Sequence, residues 1–266
     1  MAAKITSLQN PRVKAAIRLR DGRHRRKQQQ ILIDGVRELS RAMQAAVVPV
    51  ELFCCAGLCQ NEAAQTVLRD ARGLDTEVIE VSEAVFEKLA FGNRAEGIMA
   101  VAPTPTTSID RLDLPDDALI GVLEGVEKPG NVGAVLRSAD AAGLAAVIVA
   151  DGRTDLFNPN AIRASLGTIF TMPVAEATSA ETLRWLTDRG ISVFAARVDG
   201  AIDYTAADYT GRAAIVLGSE AEGLTDVWSP GAVQAVRLPM LGAADSLNVS
   251  VTAAVLFYEA LRQRQP

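Results

Sequence analysis

Residues 118–150 read ALIGVLEGVEKPGNVGAVLRSADAAGLAAVIVA. An apolar run at 118–123 leads through a polar loop into a helical pattern over 132–142, and a second apolar run follows at 145–149. Two apolar strands joined by a helix predict a βαβ unit. Strands that lack polar alternation predict a parallel sheet covered on both faces. Towards the C-terminus the same reading predicts strands at 192–196, 213–217 and 235–238, with helices near 180–189 and 249–262. In such sheets ligands bind beyond the carboxyl ends of the strands.

Towards the N-terminus the chain also alternates. A basic helix is predicted over 8–22, a strand at 31–33 and a helix through Val36, Leu39 and Met43. Strands at 50–54, 77–81 and 98–101 follow, with helices at 63–72 and 84–89. Residues 103–117, PTPTTSIDRLDLPDD, break the pattern and read as a linker. The expected organisation is therefore a smaller N-terminal α/β domain, 1–102, and a parallel-sheet domain, 118–266.

Of the 266 residues, 49% are hydrophobic and 22% charged, a globular balance. The longest nearly apolar run, 141–150, is too short for a bilayer, and MAAKITSLQNPR has no signal-peptide core. The expectation is a cytoplasmic protein with no membrane partner. The single histidine, His24, argues against a serine–histidine–acid triad and a multi-histidine metal site. Cys54, Cys55 and Cys59 are too few for a zinc site and read as buried free thiols, so no metal is expected.

Charge is unevenly spread. Residues 1–30 hold nine of the 27 basic residues and one of the 32 acidic ones. The remaining 18 basic and 31 acidic residues give an acidic body of −13. Arg12, Lys14, Arg18, Arg23, Arg25 and Arg26 have almost no neighbouring acids. They predict a phosphate-contacting RNA surface; the plainer reading is a solvated helix with ordinary surface charge.

Three loops carry the chemistry. The first, Glu124 to Gly143, places Pro129, Gly130, Asn131 and Gly133 at the start of a helix, where Asn131 suits an N-cap. It is neither G-x-G-x-x-G nor a Walker loop, which disfavours a nucleotide-dependent enzyme on an ordinary doubly wound sheet. Arg137 lies on the otherwise small, apolar helix that follows and needs a partner or water. The second loop, VLGSEAEGL at 216–224, holds Gly218, Glu220 and Gly223 at a strand end. The third begins LPMLGAADSLNVS at 238, with Ser246 or Asn248 suited to cap the final helix.

In this order the loops resemble the three motifs of the SpoU/TrmH family of RNA ribose 2′-O-methyltransferases, within the SPOUT superfamily. The matching residues are Asn131 and Arg137, then Gly218, Glu220 and Gly223, then Pro239, Met240, Gly242 and Ser246 to Ser250. FNPNAIRASLGTIFTMP, 157–173, resembles the family's segment between the first two motifs. More loosely, NPRVKAAIRLRDGRHRRKQQQILIDGVREL and NRAEGIMAV resemble the ribosomal-protein-like RNA-binding module that often precedes this domain.

The resemblance implies a deep trefoil knot in the C-terminal domain, S-adenosylmethionine as methyl donor and a homodimer. It implies a donor pocket lined by Leu217, Gly218, Gly223, Leu238, Met240 and Leu247, and a catalytic group of Asn131, Arg137, Glu220, Ser246 and Asn248. Arg137 takes the family's proton-abstracting role. A free guanidinium gives up its proton only with great difficulty, so ribose orientation stays open beside it. Glu220 and Ser246 also suit a purely loop-shaping role. Arg163 suits an RNA phosphate contact or an internal salt bridge. The implied substrate is RNA, with rRNA favoured by the added N-terminal module, in a housekeeping or antibiotic-resistance setting. The alternative is a non-catalytic RNA-binding or ribosome-assembly factor that retains the fold.

Overall fold

The computed structural model describes residues 4–91, 96–229 and 231–265. Residues 93–95 of the N-terminal match, and the first three residues, lie outside them. The chain forms two compact units, one of Met1–Pro105 with Phe157–Thr171 and one of Thr106–Leu156 with Met172–Pro266.

The first unit opens with α1 (Pro11–Arg18) and α2 (Gly22–Gln28). The single basic helix expected over 8–22 is thus corrected to two. Asn10 caps α1 by accepting from Arg12 N, and Asp21 caps α2 by accepting from Arg23 N at 2.7 Å. The second cap sits where one long helix would have continued, and it restarts the backbone hydrogen bonding. The unit continues with β1 (Gln30–Asp34), α3 (Val36–Gln44), β2 (Glu51–Cys54), α4 (Glu62–Arg72), β3 (Glu77–Glu80), α5 (Glu83–Leu89) and β4 (Ile98–Pro103). The sheet order is β1-β4-β2-β3, with only β2 and β3 parallel. Its core holds Val13, Leu19, Leu32, Phe53, Val85, Phe86 and Met99. Cys54, Cys55 and Cys59 are buried.

The second unit holds β5 (Leu119–Glu124), α6 (Pro129–Ala141) and β6 (Ala146–Ala150). The chain then returns to the first unit for α7 (Pro159–Ala164) and α8 (Thr168–Thr171). This segment lies within the span expected as one domain at 118–266, and by its contacts it packs with the first unit. Arg163 donates to Phe91 O at 2.6 Å, and Arg41 donates to Leu166 O at 2.8 Å. Packing partners distant in sequence decide where this segment belongs. The second unit resumes with β7 (Val174–Ala177), which the sequence reading missed, α9 (Ser179–Asp188) and β8 (Ser192–Ala196). The short β9 (Ile202–Asp203), β10 (Ala213–Leu217), β11 (Val233–Arg237) and α10 (Val249–Arg264) complete it.

The seven strands run β7-β6-β5-β10-β8-β11-β9, all parallel. Ile120, Val122, Ile148, Val193 and Val216 pack with Trp185, Leu186 and Trp228. A Cβ at Gly121 would stand 3.0 Å from the Phe257 ring, so this glycine lets α10 approach β5 closely. Of the expected linker, Thr107 attaches to the sheet edge, its carbonyl accepting from Glu176 N at 2.7 Å. Among the described residues no helix is long and apolar enough to cross a membrane.

Candidate active site

The sheet order places β5 beside β10, with Leu123 level with Leu217. Strand order reverses here, since β6 and β7 extend one way and β8, β11 and β9 the other. Such a switch point opens a crevice at the carboxyl ends of the strands. The loop after β5 and the loop after β10 therefore face each other although far apart in sequence.

The loop after β10 is tightly folded. Ser219 and Gly223 exchange backbone hydrogen bonds of 3.1 and 3.0 Å, and Glu222 N donates to Ser219 Oγ at 3.1 Å. A Cβ at Gly218 would fall 2.2 Å from the Gly223 carbonyl carbon, and Gly223 itself has φ +68°. Both positions demand glycine. The loop so formed presents Glu220.

Glu220 collects donors from three directions. Lys128 Nζ lies 2.6 Å from Oε2, and Asn131 Nδ2 donates to Oε1 at 2.8 Å. Asn248 Nδ2 also donates to Oε1. The ammonium of Lys128, with the Asn131 hydrogen bond adding to it against a burial effect, holds the Glu220 carboxyl below the usual glutamate range. Asn248 is the N-cap of α10 and accepts from Ser250 N at 2.9 Å. Asn131 is not the cap expected for α6. That position belongs to Lys128, with Pro129 opening the helix, and Asn131 lies within the first turn. Its amide is thereby free to reach across to Glu220.

A cavity of about 510 Å³ lies beside this cluster, beyond the ends of β8, β10 and β11. Leu217, Gly218, Gly223, Leu238, Met240 and Leu247 all line it, as do Glu220 and Ser246. Its size falls within the roughly 300–1,000 Å³ of small-molecule pockets. Ala196 at the end of β8, with Val198 and Asp199 just after it, completes one wall, and none of the three was singled out from sequence.

Residues 118–258 match the SpoU rRNA Methylase family, and residues 10–100 match the MRM3-like substrate binding domain. The chain belongs to the SpoU rRNA methylase family. A curated relative from Bordetella pertussis, the 23S rRNA (guanosine-2′-O-)-methyltransferase RlmB, is 36% identical over 211 residues, covering 77% of this chain and 86% of that protein. A crystal structure of an RNA 2′-O ribose methyltransferase is similar at 42% identity and TM-score 0.86, covering 98% of this chain and 99% of that one. The SpoU methyltransferase AviRb from Streptomyces viridochromogenes, solved in complex with AdoMet, is similar at 28% identity and TM-score 0.88, covering 96% and 98%.

The remaining candidates of this SpoU chain are not all gathered at the Glu220 cluster. Arg137 is exposed on α6, six residues beyond Asn131, and makes no side-chain hydrogen bond or ion pair among the described residues. Ser246 is exposed at the cavity and likewise unpaired. Lys14, Arg18, Arg23 and Arg26 are exposed. Arg25 is a correction, being 3% exposed and donating to Leu19 O and Arg20 O at 2.7 and 2.9 Å. It ties α1 to α2 rather than facing solvent. Arg12 lies within ion-pair distance of both Glu51 and Glu77, acids that only the tertiary fold brings near. Arg163 is spent on Phe91 O.

Lys128 was missed by the sequence reading. The available signal was a basic residue directly before the helix-opening Pro129. Buried Glu124, at the end of β5, was missed too. Its carboxylate accepts from Ser179 Oγ at 2.6 Å and from Thr225 N and Oγ1, both at 2.7 Å, and so anchors the exit of the β10 loop.

Proposed function

We propose that this protein transfers a methyl group from S-adenosylmethionine to a ribose 2′-hydroxyl of ribosomal RNA. The observation that carries the reading is the meeting of Asn131, Glu220 and Asn248 beside the cavity that Glu220 also lines. The names of the similar proteins, rRNA 2′-O-methyltransferases and an AdoMet complex, support the same reading.

The cavity suits this donor. Leu217, Leu238, Met240 and Leu247 offer apolar walls, and bare backbone at Gly218 allows close approach. Of the carboxylates that line it, Glu220, Glu222 and Asp199 are paired with Lys128, Arg153 and Arg197, and Asp245 has no ion pair among the described residues. When bound, the donor supplies an already activated methyl group.

The chain's own residues then have to hold the ribose in line and handle one proton. Glu220, kept ionised by Lys128, locks the first turn of α6 to the cap of α10. Arg137, exposed and free of internal partners, is assigned to the incoming ribose and its phosphate. Lys14, Arg18, Arg23 and Arg26 are assigned to RNA phosphates further away. Gly218 and the 238–248 loop are assigned to the knot around the donor.

A second copy of the chain is assigned to the outer face of α10, where Val251 and Tyr258 are 47% and 51% exposed. The site of action is the cytoplasm, where rRNA is made and modified in bacteria.

The test is transfer of labelled methyl from S-adenosylmethionine to rRNA lacking the modification, with wild type and Arg137→Ala compared. One alkali-resistant linkage, lost in the variant while donor binding is kept, is the expected result. Absence of donor binding in the wild type would overturn the enzyme reading in favour of an RNA-binding factor.

A further inference from the structure

The loops after β5 and β10 are joined a second time, by a residue that lies in neither. Arg153 follows β6. Its Nη1 lies 2.9 Å from Glu127 Oε1, and its Nη2 pairs with Glu222. Glu127 belongs to the loop after β5 and lines a smaller cavity of about 220 Å³, beside Lys128, Asn131 and Glu220. Glu222 belongs to the loop after β10 and lines the larger cavity. Ser219 and Glu220 line both. One guanidinium therefore holds a carboxylate from each cavity, on either side of the residue that organises the site.

The local chain is built to place it there. Asp151, directly after β6, lies in the left-handed region, φ +45°, and its Oδ2 accepts from Ser179 N at 2.9 Å. A Cβ at Gly152 would lie 2.8 Å from the Val149 Cγ1 methyl, so the glycine lets the chain pass close to that side chain. This segment brings Arg153 to the loops after β5 and β10, where it meets Glu127 and Glu222. A Cβ at Gly125 would lie 3.9 Å from both Arg153 Nε and Ser219 Cβ. Beneath this exposed clamp lies the buried one, Glu124 with Thr225 and Ser179. The loops are thus cross-linked in two layers.

The Arg153 side chain is 47% exposed, and an exposed ion pair adds little to stability. Its value is geometric. A planar guanidinium bonded to two carboxylates fixes their separation, which a lysine cannot do equally well. Misplacement of a loop by an ångström costs rate, not fold.

We propose that Arg153 is a positioning residue that couples the donor cavity to the neighbouring cavity by holding the two loops in register around Glu220. The proposal rests on the methyltransferase reading above. Loss of Arg153 frees Glu222 and loosens the 219–223 loop. Donor affinity and the transfer rate at saturating donor both fall.

The experiment uses the full chain as wild type, R153Q, R153K, E222Q and the R153Q/E222Q double variant. Donor affinity is read by calorimetry with S-adenosylhomocysteine, and transfer by single turnover on unmodified rRNA. Melting temperature is read alongside. R153Q is expected to weaken the ligand about 3- to 10-fold and to slow saturated transfer about 10-fold, with melting shifted by about 2 °C or less. E222Q should reproduce the affinity loss, the double variant should be no worse than either single, and R153K should recover part of both. Wild-type affinity and rate in R153Q would overturn the proposal, as would strictly additive losses. So would a defect confined to RNA concentration dependence, which would mark Arg153 as a phosphate contact. A wild type that binds no donor would sink the underlying reading, a distinct outcome that takes the proposal with it.

Discussion

The amide of Asn131 and the carboxylate of Glu220, 89 positions apart, meet side chain to side chain at 2.8 Å. They do so because β5 and β10 are adjacent, so that the first turn of α6, which follows β5, faces the loop after β10. Asn248 completes the arrangement from the cap of α10.

Glu220→Gln should therefore damage catalysis more than stability. A glutamine keeps the shape but loses the charge that pairs with Lys128, and its NH2 must face either the Lys128 ammonium or the two amides, donor against donor. A drop of about 100-fold in kcat is expected, the scale of a misplaced catalytic group. Donor affinity should change by less than about 10-fold, and melting by a degree or two. Single-turnover transfer and thermal scanning check this together.

The same cluster sets an acid limit. Glu220 has its folded pKa lowered, chiefly by Lys128, so its contribution is complete above the ordinary glutamate value of about 4.3. It is lost only as pH falls through the lower, folded value. Lys128→Met removes the main cause and should move the acid limb of the donor-affinity profile upward. A profile unchanged in that variant would show that Asn131 and Asn248 suffice to hold the carboxylate ionised.

Residues of the basic arm should separate into two groups. Replacing Lys14, Arg18, Arg23 or Arg26 by Ala should weaken RNA binding uniformly, each reducing the slope of log affinity against log salt by up to about 1. Arg25→Ala should instead destabilise the first unit by about 1–3 kcal/mol, because the Leu19 and Arg20 carbonyls lose their donor. Salt titrations of RNA affinity and chemical denaturation distinguish the groups.

Asp34 gives a pH signature of the first unit. Burial, opposed by the hydrogen bond from Phe91 N and by Arg163, pushes its carboxyl up to about 6. The folded value lies above the unfolded value of about 3.9, so the folded state holds the extra proton between them. Stability from this group therefore falls as pH rises from about 4 to about 6 and stays lowered above. Asp34→Asn can still accept from Phe91 N and should melt a few degrees higher at pH 7.5, a difference that closes near pH 4. A lower melting point at pH 7.5 would show that attraction to Arg163 outweighs burial.

Much of the architecture was legible in one dimension. The apolar runs at 118–123, 145–149, 192–196 and 213–217 each became a buried parallel strand, because a strand covered on both faces needs no polar alternation. The edge strand β7 was not legible. Its burial is mixed, and it is defined by pairing with β6 rather than by its own pattern. The turns were readable where a cap or glycine has a local cause, as at Asn248 and Gly223.

Sequence alone determined which residue types stand at the ends of β5, β10 and β11, and that they carry the SpoU motifs. Those are local properties, written in strand periodicity, caps and glycines. Tertiary structure decided which of these side chains meet. It turned Asn131 from an expected cap into a ligand of Glu220, and it recruited Lys128 and Arg153 to carboxylates on another loop. It set Arg12, still exposed, beside Glu51 and Glu77, took Arg25 and Arg163 into internal contacts and drew Phe157–Thr171 into the first unit. The reason is that partners separated by tens of residues are chosen by strand order and packing. Those depend on the whole chain, whereas a cap or a glycine turn depends on its neighbours.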